Sequence, residues 1–336
     1  MLGELPPDVT LDDHGVCGHC KAHHRAPVQP GQAGLLESDF VRLLKRHRGR
    51  GAYDCLVMCS GGKDSVAALF FMVERFKARP LVFTFDQGFG NPEGLENVRR
   101  ATSRLGVDWL YLRSEYMKGF FAEIVKTRAP VPMCPPCSLW YMQVTCELAA
   151  RYDIPLLITG WTRGQLDHPS GKQAALREEQ FPTIGAATQA FIRDLRRRAP
   201  RYESFPLSME EIRRRHKKRM ILSPHWFLPF QEAEYVDTLR EHLGWQPVER
   251  SWPAFSTNCR LNYLAAWLSM RDYGFTHHHI EMSQLIRLGE VSRAEAVQAL
   301  GIDINQEPAR GEILRVLDEL GLTLDDLGDL EQPWIS

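Results

Sequence analysis

The chain has 336 residues, 44% hydrophobic and 25% charged, with a formal net charge of −1, the composition of a soluble globular protein with room for one large domain or two. No apolar run approaches the roughly 18 residues of a membrane span, and residues 1–30 lack the apolar core of a signal peptide. A charge near zero supplies no basic field for nucleic acid, so the cytoplasm is the expected compartment and a small molecule the expected partner.

In a reducing compartment the eight cysteines read as metal ligands, catalytic thiols or small buried residues rather than disulfides. Two of them come first, in Asp12-Asp13-His14-Gly15-Val16-Cys17-Gly18-His19-Cys20, with His23 and His24 just after. Thiolates at this spacing can share one zinc ion, although four ligands are usual; a pair of free thiols on a loop is the alternative. Leu36, Phe40, Leu43 and Leu44 suggest a helix. Strands are then expected at 53–59, 80–85, 107–112 and 155–160. Helices are expected at 64–77, 93–105, 115–127 and 137–152. This alternation predicts an α/β fold, a doubly wound parallel sheet covered on both faces, with ligands at the carboxyl ends of its strands.

Three segments fall at those ends. After the first strand comes Ser60-Gly61-Gly62-Lys63-Asp64-Ser65. The glycines permit a sharp turn, the following helix points its positive end at the turn, and a lysine and two hydroxyls stand there: a place for phosphates. The spacing is neither Walker A nor the dinucleotide fingerprint. After the second strand, Phe85 and Asp86 precede Gln87 and Gly88; Asp86 reads as a ribose or Mg²⁺ ligand, or as an aspartate that shapes a turn. After the fourth come Thr159, Gly160 and Arg163, where glycine lets backbone approach a phosphate and the arginine can pair with it.

Cys134-Pro135-Pro136-Cys137 opens a predicted helix whose N-terminus favours thiolates. A long helical stretch at 174–199 reads as an insertion. It begins a basic run that includes Arg196, Arg197, Arg198, Arg213, Arg214 and Arg215, either solvated helix faces or a patch for a phosphorylated substrate. A strand-like segment at 220–228 and a helix at 231–243 lead to Asn258-Cys259-Arg260, and the remainder is helical. Ser292 with Glu295 fits a capping box and Thr323 with Asp326 resembles one. His277, His278 and His279 cannot share one helix face, and one of them is expected to line the substrate pocket.

The Ser60-Gly61-Gly62-Lys63-Asp64-Ser65 loop closely resembles the PP-loop of the ATP pyrophosphatase superfamily. The resemblance implies ATP, with Mg²⁺, at residues 60–65, and cofactor contacts from Phe85, Asp86, Thr159, Gly160 and Arg163. It implies cleavage between the α- and β-phosphates: an acceptor oxygen is adenylylated, then AMP is displaced by nitrogen or sulfur, with Lys63 and Asp64 in catalytic positions. The opening around Cys17 and Cys20, the segment Phe85-Asp86-Gln87-Gly88-Phe89-Gly90-Asn91, and residues 271–300 resemble the N-acetyl sugar amidotransferase branch. An earlier second CxxC of that branch is missing here. The order of loop, CxxC and late cysteine instead resembles the PP-loop sulfurtransferases that thiolate tRNA. That likeness implies a [4Fe–4S] cluster on Cys134, Cys137 and Cys259; zinc at Cys134 and Cys137, alone or with Cys17 and Cys20, is the alternative.

The expectations are these. Residues 1–35 form a cysteine-bearing appendage, 36–250 a PP-loop domain with a basic helical insertion at 170–219, and 251–336 a helical region. The enzyme adenylylates a carbonyl or amide oxygen of a small acceptor, a nucleotide or sugar phosphate, and transfers sulfur to it. In the alternative, ammonia from a separate glutaminase gives an amidine. A sulfur- or ammonia-donating protein and a second copy of the chain are the protein partners to look for.

Overall fold

In the computed structural model, which describes residues 2–25, 37–49, 51–165, 181–228, 232–253, 258–302 and 306–328, the chain opens with α1 (Gly18–Arg25) and α2 (Glu37–His47). The first half of the sheet follows: β1 (Cys55–Met58), α3 (Lys63–Phe70), β2 (Pro80–Asp86), α4 (Pro92–Leu105) and β3 (Trp109–Arg113). Then come α5 (Tyr116–Thr127), α6 (Cys134–Arg151), β4 (Leu156–Ile158), α7 (Pro182–Arg198), α8 (Met209–Arg215) and β5 (Met220–Leu222). The remainder is α9 (Glu232–Leu243), α10 (Asn262–Tyr273), α11 (His277–Leu288), α12 (Arg293–Leu300), α13 (Ala309–Glu319) and α14 (Leu324–Leu327). No helix among the described residues is long and apolar enough to cross a membrane.

All five strands are parallel, in the order β3-β2-β1-β4-β5. This is the expected doubly wound α/β sheet. The central strand β1 is buried along its whole length, which is why it reads as a continuous apolar run rather than an alternating one. Its side chains still alternate between the two faces. Leu56 and Met58 join Leu81, Phe83 and Leu157 beneath α5, α6 and α10. Cys55 and Val57 join Val82, Leu156 and Ile158 beneath α2, α3, α4 and α9.

The strands are shorter than the sequence implies, for local reasons. Residues 107–108 are used to leave α4: Gly106 takes a left-handed φ of 63° and the Val107 amide bonds back to the Thr102 carbonyl. The segment expected at 220–228 stops at Leu222, because Pro224 cannot donate to the ladder and starts a 3₁₀ turn. The helix after the phosphate loop continues beyond Phe70 as a π-helical turn, 71–75. Residues 174–180 of the expected long helix lie outside the described residues.

The basic stretch read as an insertion is the crossover that joins β4 to β5, as every pair of parallel strands requires. It is built into the core: Phe191, Ile192, Leu195, Tyr202, Phe205, Met209 and Ile212 are buried with α5 and α6, and Phe205 stacks on Phe120 at 4.4 Å. Several of its cations pair locally, Arg198 with Glu123 and Asp194, Arg197 with Asp194, Arg215 with Glu211. The N-terminal segment is packed too. Val9 and Cys17 are buried against Phe181, Ile184, Tyr273, Phe275 and Ile280, and Asp8 accepts from the Thr183 amide at 2.8 Å in the first turn of α7.

Candidate active site

After β3 the chain returns across the sheet to start again beside β1, so the strand order reverses between β1 and β4. A doubly wound sheet opens its ligand crevice at that point, beyond the carboxyl ends of the strands. A pocket lies there, lined by Ser60, Gly62, Lys63, Asp64 and Ser65 from one side and Thr159, Gly160, Trp161 and Gln165 from the other, with Tyr141 and Asn258 closing it. The loop is shaped internally. The Ser65 hydroxyl accepts from the Ser60 amide at 3.1 Å and donates to the Gly62 carbonyl at 3.0 Å. No side chain caps α3 at Gly62, so the first turn of the helix faces the pocket with its N–H end, the arrangement that receives phosphate.

Lys63 is buried, and its ammonium lies 3.0 Å from an Asp64 oxygen. Burial by itself would push the Asp64 carboxyl up; Lys63, His225 and a 2.6 Å bond from the Tyr235 hydroxyl outweigh it and hold the group below the ordinary aspartate value. His225 is buried with Nε2 2.8 Å from the Asp64 carbonyl oxygen. A carbonyl only accepts, so Nε2 carries a proton, and burial pushes the imidazole pKa down against the pull of Asp64. Asp64 is the one carboxylate among the described residues lining the pocket.

Two glycines are fixed by crowding. Gly61 has φ +89°, and a Cβ there would lie 1.9 Å from the Gly94 carbonyl oxygen. Its own carbonyl accepts from the Trp245 indole at 3.0 Å and the Asn97 amide at 3.2 Å. A Cβ on Gly160 would lie 2.6 Å from the Ser65 backbone. Gly160 therefore brings the loop after β4 against the start of α3, a packing role beside the phosphate approach its position suggested.

Thr159 is buried, its amide bonded to the Leu222 carbonyl. Arg163 is directed elsewhere: its guanidinium bonds the Leu228 carbonyl at 3.1 Å and pairs with Glu290. Phe85 stacks on Tyr141, ring centroids 5.8 Å apart. Asp86 shapes its own loop, accepting from the Gly88 and Gly90 amides and the Tyr111 hydroxyl. It lines a neighbouring arginine-rich cleft with Arg99, Arg113 and Arg260.

The cysteines converge from two directions. Cys134 and Cys137 form the first turn of α6, where proline is tolerated. Cys259 arrives on a short bridge: Gly90 pairs with it antiparallel, the Asn91 amide bonds the Asn258 carbonyl and the Arg260 amide the Phe89 carbonyl. The Gln87 amide donates to the Cys259 sulfur at 2.9 Å. Burial pushes the Cys137 thiol well up, and Cys259 and Cys134 push the same way. Cys259 is likewise raised by burial, and next by Cys134, to about 12. Tyr141 follows Cys137 by one turn on the same helix face, about 6 Å along the axis, and lines the phosphate pocket.

Among the described residues no three His, Cys, Asp or Glu side chains are grouped to hold a single metal ion. Thiolates around one zinc ion stand about 4 Å apart and around a four-iron cluster about 6–7 Å, for metal–sulfur bonds of ~2.3 Å. Cys134, Cys137 and Cys259 are soft donors of the kind that a zinc ion or an iron–sulfur cluster takes. Cys17 and Cys20 are a separate pair; burial and Cys17 raise the Cys20 thiol, and the Arg287 guanidinium acts in the opposite direction.

A second cavity adjoins the first, with Trp161 and Gln165 in both walls. Cys134 lies at its edge, its sulfur 3.9 Å from His277 Nδ1. Of the three consecutive histidines, His277 is the one that lines this cavity. His278 is buried against Asn262, and His279 closes an N-terminal capping box with Thr276.

Sequence reasoning missed Asn97, Trp245, His225, Tyr235 and Tyr141. Asn97 carried a signal, a polar residue on the apolar face of an amphipathic helix. The others reach the site only through tertiary packing.

No protein-family model matches the chain. An uncharacterized protein of Methanocaldococcus jannaschii is 25% identical over 292 residues, 87% of each chain. Among solved structures, the U34-tRNA thiolase NcsA of Methanococcus maripaludis with its [4Fe-4S] cluster has a TM-score of 0.37 at 14% identity, over 83% of this chain and 78% of that one. A predicted subunit of tRNA methyltransferase from M. jannaschii has a TM-score of 0.31 at 15% identity, over 70% of this chain and 89% of that one. Likenesses this slight do not bear on the chemistry.

Proposed function

We propose that this protein is an ATP-dependent enzyme that adenylylates a carbonyl oxygen and then exchanges that oxygen for sulfur. The observation that carries the reading is the juxtaposition of two sites on α6: the CxxC at its start and, one turn on, Tyr141 in the wall of the pocket formed by residues 60–65. In the first step the acceptor oxygen attacks the α-phosphorus of ATP and pyrophosphate leaves. Lys63 and the first turn of α3 offset the charge on the phosphates, and Asp64 orients Lys63. In the second, hydrosulfide adds to the activated carbon, AMP departs with the original oxygen, and the thiocarbonyl remains. Cys134, Cys137 and Cys259 would hold a [4Fe–4S] cluster. When bound, such a cluster supplies an iron without a protein ligand on which sulfide can be carried.

Protein purified without oxygen tests this. The expected result is a broad visible absorption near 400 nm, about four irons and four sulfides per chain, and release of AMP and pyrophosphate with a thiolated acceptor. Zinc in place of iron and sulfide, with AMP formed from ammonia and acceptor, would transfer the reading to an amidotransferase. The likeness of residues 271–300 to that branch keeps it as the second reading.

A further inference from the structure

Strand β3 ends the sheet, and its outer side carries backbone groups that the fold leaves over. In a parallel ladder one residue in two addresses a given neighbour. The phase is fixed at both ends of β3: the Val82 amide donates to the Asp108 carbonyl at 2.9 Å, and the Ser114 amide to the Asp86 carbonyl at 2.8 Å. Asp108, Leu110, Leu112 and Ser114 therefore address β2. Trp109, Tyr111 and Arg113 direct their N–H and C=O groups away from the sheet, where no further strand pairs with β3 among the described residues. Such an edge is a template for another strand unless proline, a bulge or a covering segment blocks it. Trp109-Leu110-Tyr111-Leu112-Arg113 contains no proline and matches β2 residue for residue, without a bulge.

The side chains are those of a contact surface. Tyr111 and Leu112 are each 42% exposed, on opposite faces of the strand. Trp109, Tyr111 and Arg113 line the arginine-rich cleft on one face, and Leu110 packs at the margin of the core on the other. Arg113 pairs with Glu115 at 3.3 Å, both side chains more than half exposed, a contact weak enough to yield.

Register selects the occupant. An antiparallel pairing of two β3 strands about a two-fold axis through Tyr111 sets Tyr111 against itself, Trp109 against Arg113 and Leu110 against Leu112. All the outward residues then exchange hydrogen bonds with one another. With the axis at Leu112 or Leu110, Trp109 or Arg113 would face residues beyond the ends of β3. With the axis at Arg113, two guanidinium groups would meet. The pairing through Tyr111 instead lays a guanidinium beside an indole, which attracts, and covers Leu112 with leucine.

We propose that β3 is the interface between two copies of this chain, joined antiparallel about Tyr111 so that their five-stranded sheets become continuous. The same patch serves both copies and the assembly closes at two. Arg113 of each copy lies beside Trp109 of the other, so the two arginine-rich clefts meet across the axis.

Sedimentation velocity of the full chain should show a concentration-dependent dimer. Tyr111→Pro removes an outward N–H and leaves the ladder to β2 intact; it should stay folded by circular dichroism and sediment as a monomer where the wild type is dimeric. The substitution also loses the bond to Asp86. If it misfolds, Leu112→Arg changes only an exposed side chain and sets a charge against a leucine of the second copy; it should weaken the dimer by about tenfold or more. Cysteine substitution reads the register. Tyr111→Cys brings two thiols to the axis on Cα atoms about 5.5 Å apart, within reach of a disulfide. Mild oxidation should link the copies at position 111, located by mass spectrometry, whereas Leu112→Cys and the wild type should form no link through β3. A monomer at every concentration overturns the proposal and leaves the edge to a different chain. A dimer that neither Tyr111→Pro nor Leu112→Arg weakens overturns it as well. So does linkage through Leu112→Cys and not Tyr111→Cys, since the axis would then lie elsewhere.

Discussion

An aspartate meets a cation at each end of β1, and the two ends differ in what is left over. At the amino end, Asp54 accepts from the Arg79 amide at 2.9 Å, the Arg79 guanidinium at 3.1 Å and the Arg48 guanidinium; its side chain is 3% exposed. At the carboxyl end, Asp64 takes Lys63 and Tyr235, yet its side chain is 21% exposed and faces a pocket. The first pair is closed upon itself. The second stands beside an uncapped helix start and opens to a pocket. A saturated charge pair serves stability; one that shares a pocket with helix N–H groups is where the proposed function places the phosphates.

Lys63→Ala is the largest blow to that comparison. Acceptor-dependent pyrophosphate release should fall by about 10²–10³-fold, the scale for losing one preorganised donor to developing charge. The thermal midpoint should move less than in Asp54→Asn, because Asp64 keeps Tyr235 and can hydrate through the pocket. Unchanged pyrophosphate and AMP production would remove the core of the functional reading.

Cys259→Ser separates the two chemical steps. Serine preserves volume and the bond from Gln87 but is a poor ligand for iron. Sulfur incorporation should drop to background while acceptor-dependent pyrophosphate release persists, followed by mass spectrometry of the acceptor and a phosphate-coupled assay. Loss of both activities together would mean that Cys259 supports the fold rather than the sulfur step.

At the closed end, Asp54→Asn should cost about 1–3 kcal/mol of stability, the range for a buried hydrogen bond to a charged group, and leave turnover per folded molecule unchanged. The pH dependence has a definite sign. Burial alone would raise the Asp54 carboxyl, but the two arginines and the Arg79 amide hold it below the ordinary value of about 3.8. Its contribution is therefore complete above that value and fades as pH falls through the depressed one. Urea titrations of wild type and Asp54→Asn should converge in acid and diverge at neutral pH; a constant difference across that range would show that the ion pair is not what the substitution removes.

The same contrast explains what was legible in the chain. The Ser60-Gly61-Gly62-Lys63-Asp64-Ser65 turn could be read because every determinant is local: glycines at tight backbone, a lysine, a helix beginning at once. The strand–helix alternation could be read because buried parallel strands are apolar throughout and helices show their period. In the β4–β5 crossover the sequence left solvated helix faces and a binding patch open, and several of its arginines pair locally, on Glu123, Asp194 and Glu211. For Asp86 the sequence left a ligand role and a turn-shaping role open, and it now accepts from two loop amides and Tyr111; the bonds of Arg163 to Leu228 and Glu290 had no local signal. Cys134 lies 125 residues before Cys259; resemblance, not spacing, grouped them in the sequence, and the bridge from Gly90 to Cys259 could not be read there at all.

The smallest predicted effect sharpens the comparison from behind the loop. Gly61 stands at φ +89° with no room for a side chain, so the orientation of its peptide depends on what its carbonyl bonds. Trp245 and Asn97 both donate to it, and Asn97 is itself fixed to the Gln246 backbone at 2.7 and 2.9 Å. Trp245→Phe keeps an aromatic ring in a nearly fully buried site and removes one donor. The expected cost is about 1 kcal/mol, or roughly a fivefold rise in KM for ATP, with kcat nearly unchanged, since Lys63 and Asp64 are untouched. Asn97→Leu alone should do slightly more, because it also frees Gln246. The two together should exceed the sum of the singles, for either donor suffices to hold the peptide and the absence of both releases it. Steady-state kinetics over a range of ATP concentrations distinguishes the outcomes. A fall in kcat at constant KM would mean that the peptide acts in the transition state itself, and the carboxyl end of β1 would then owe its chemistry to backbone as well as to Lys63.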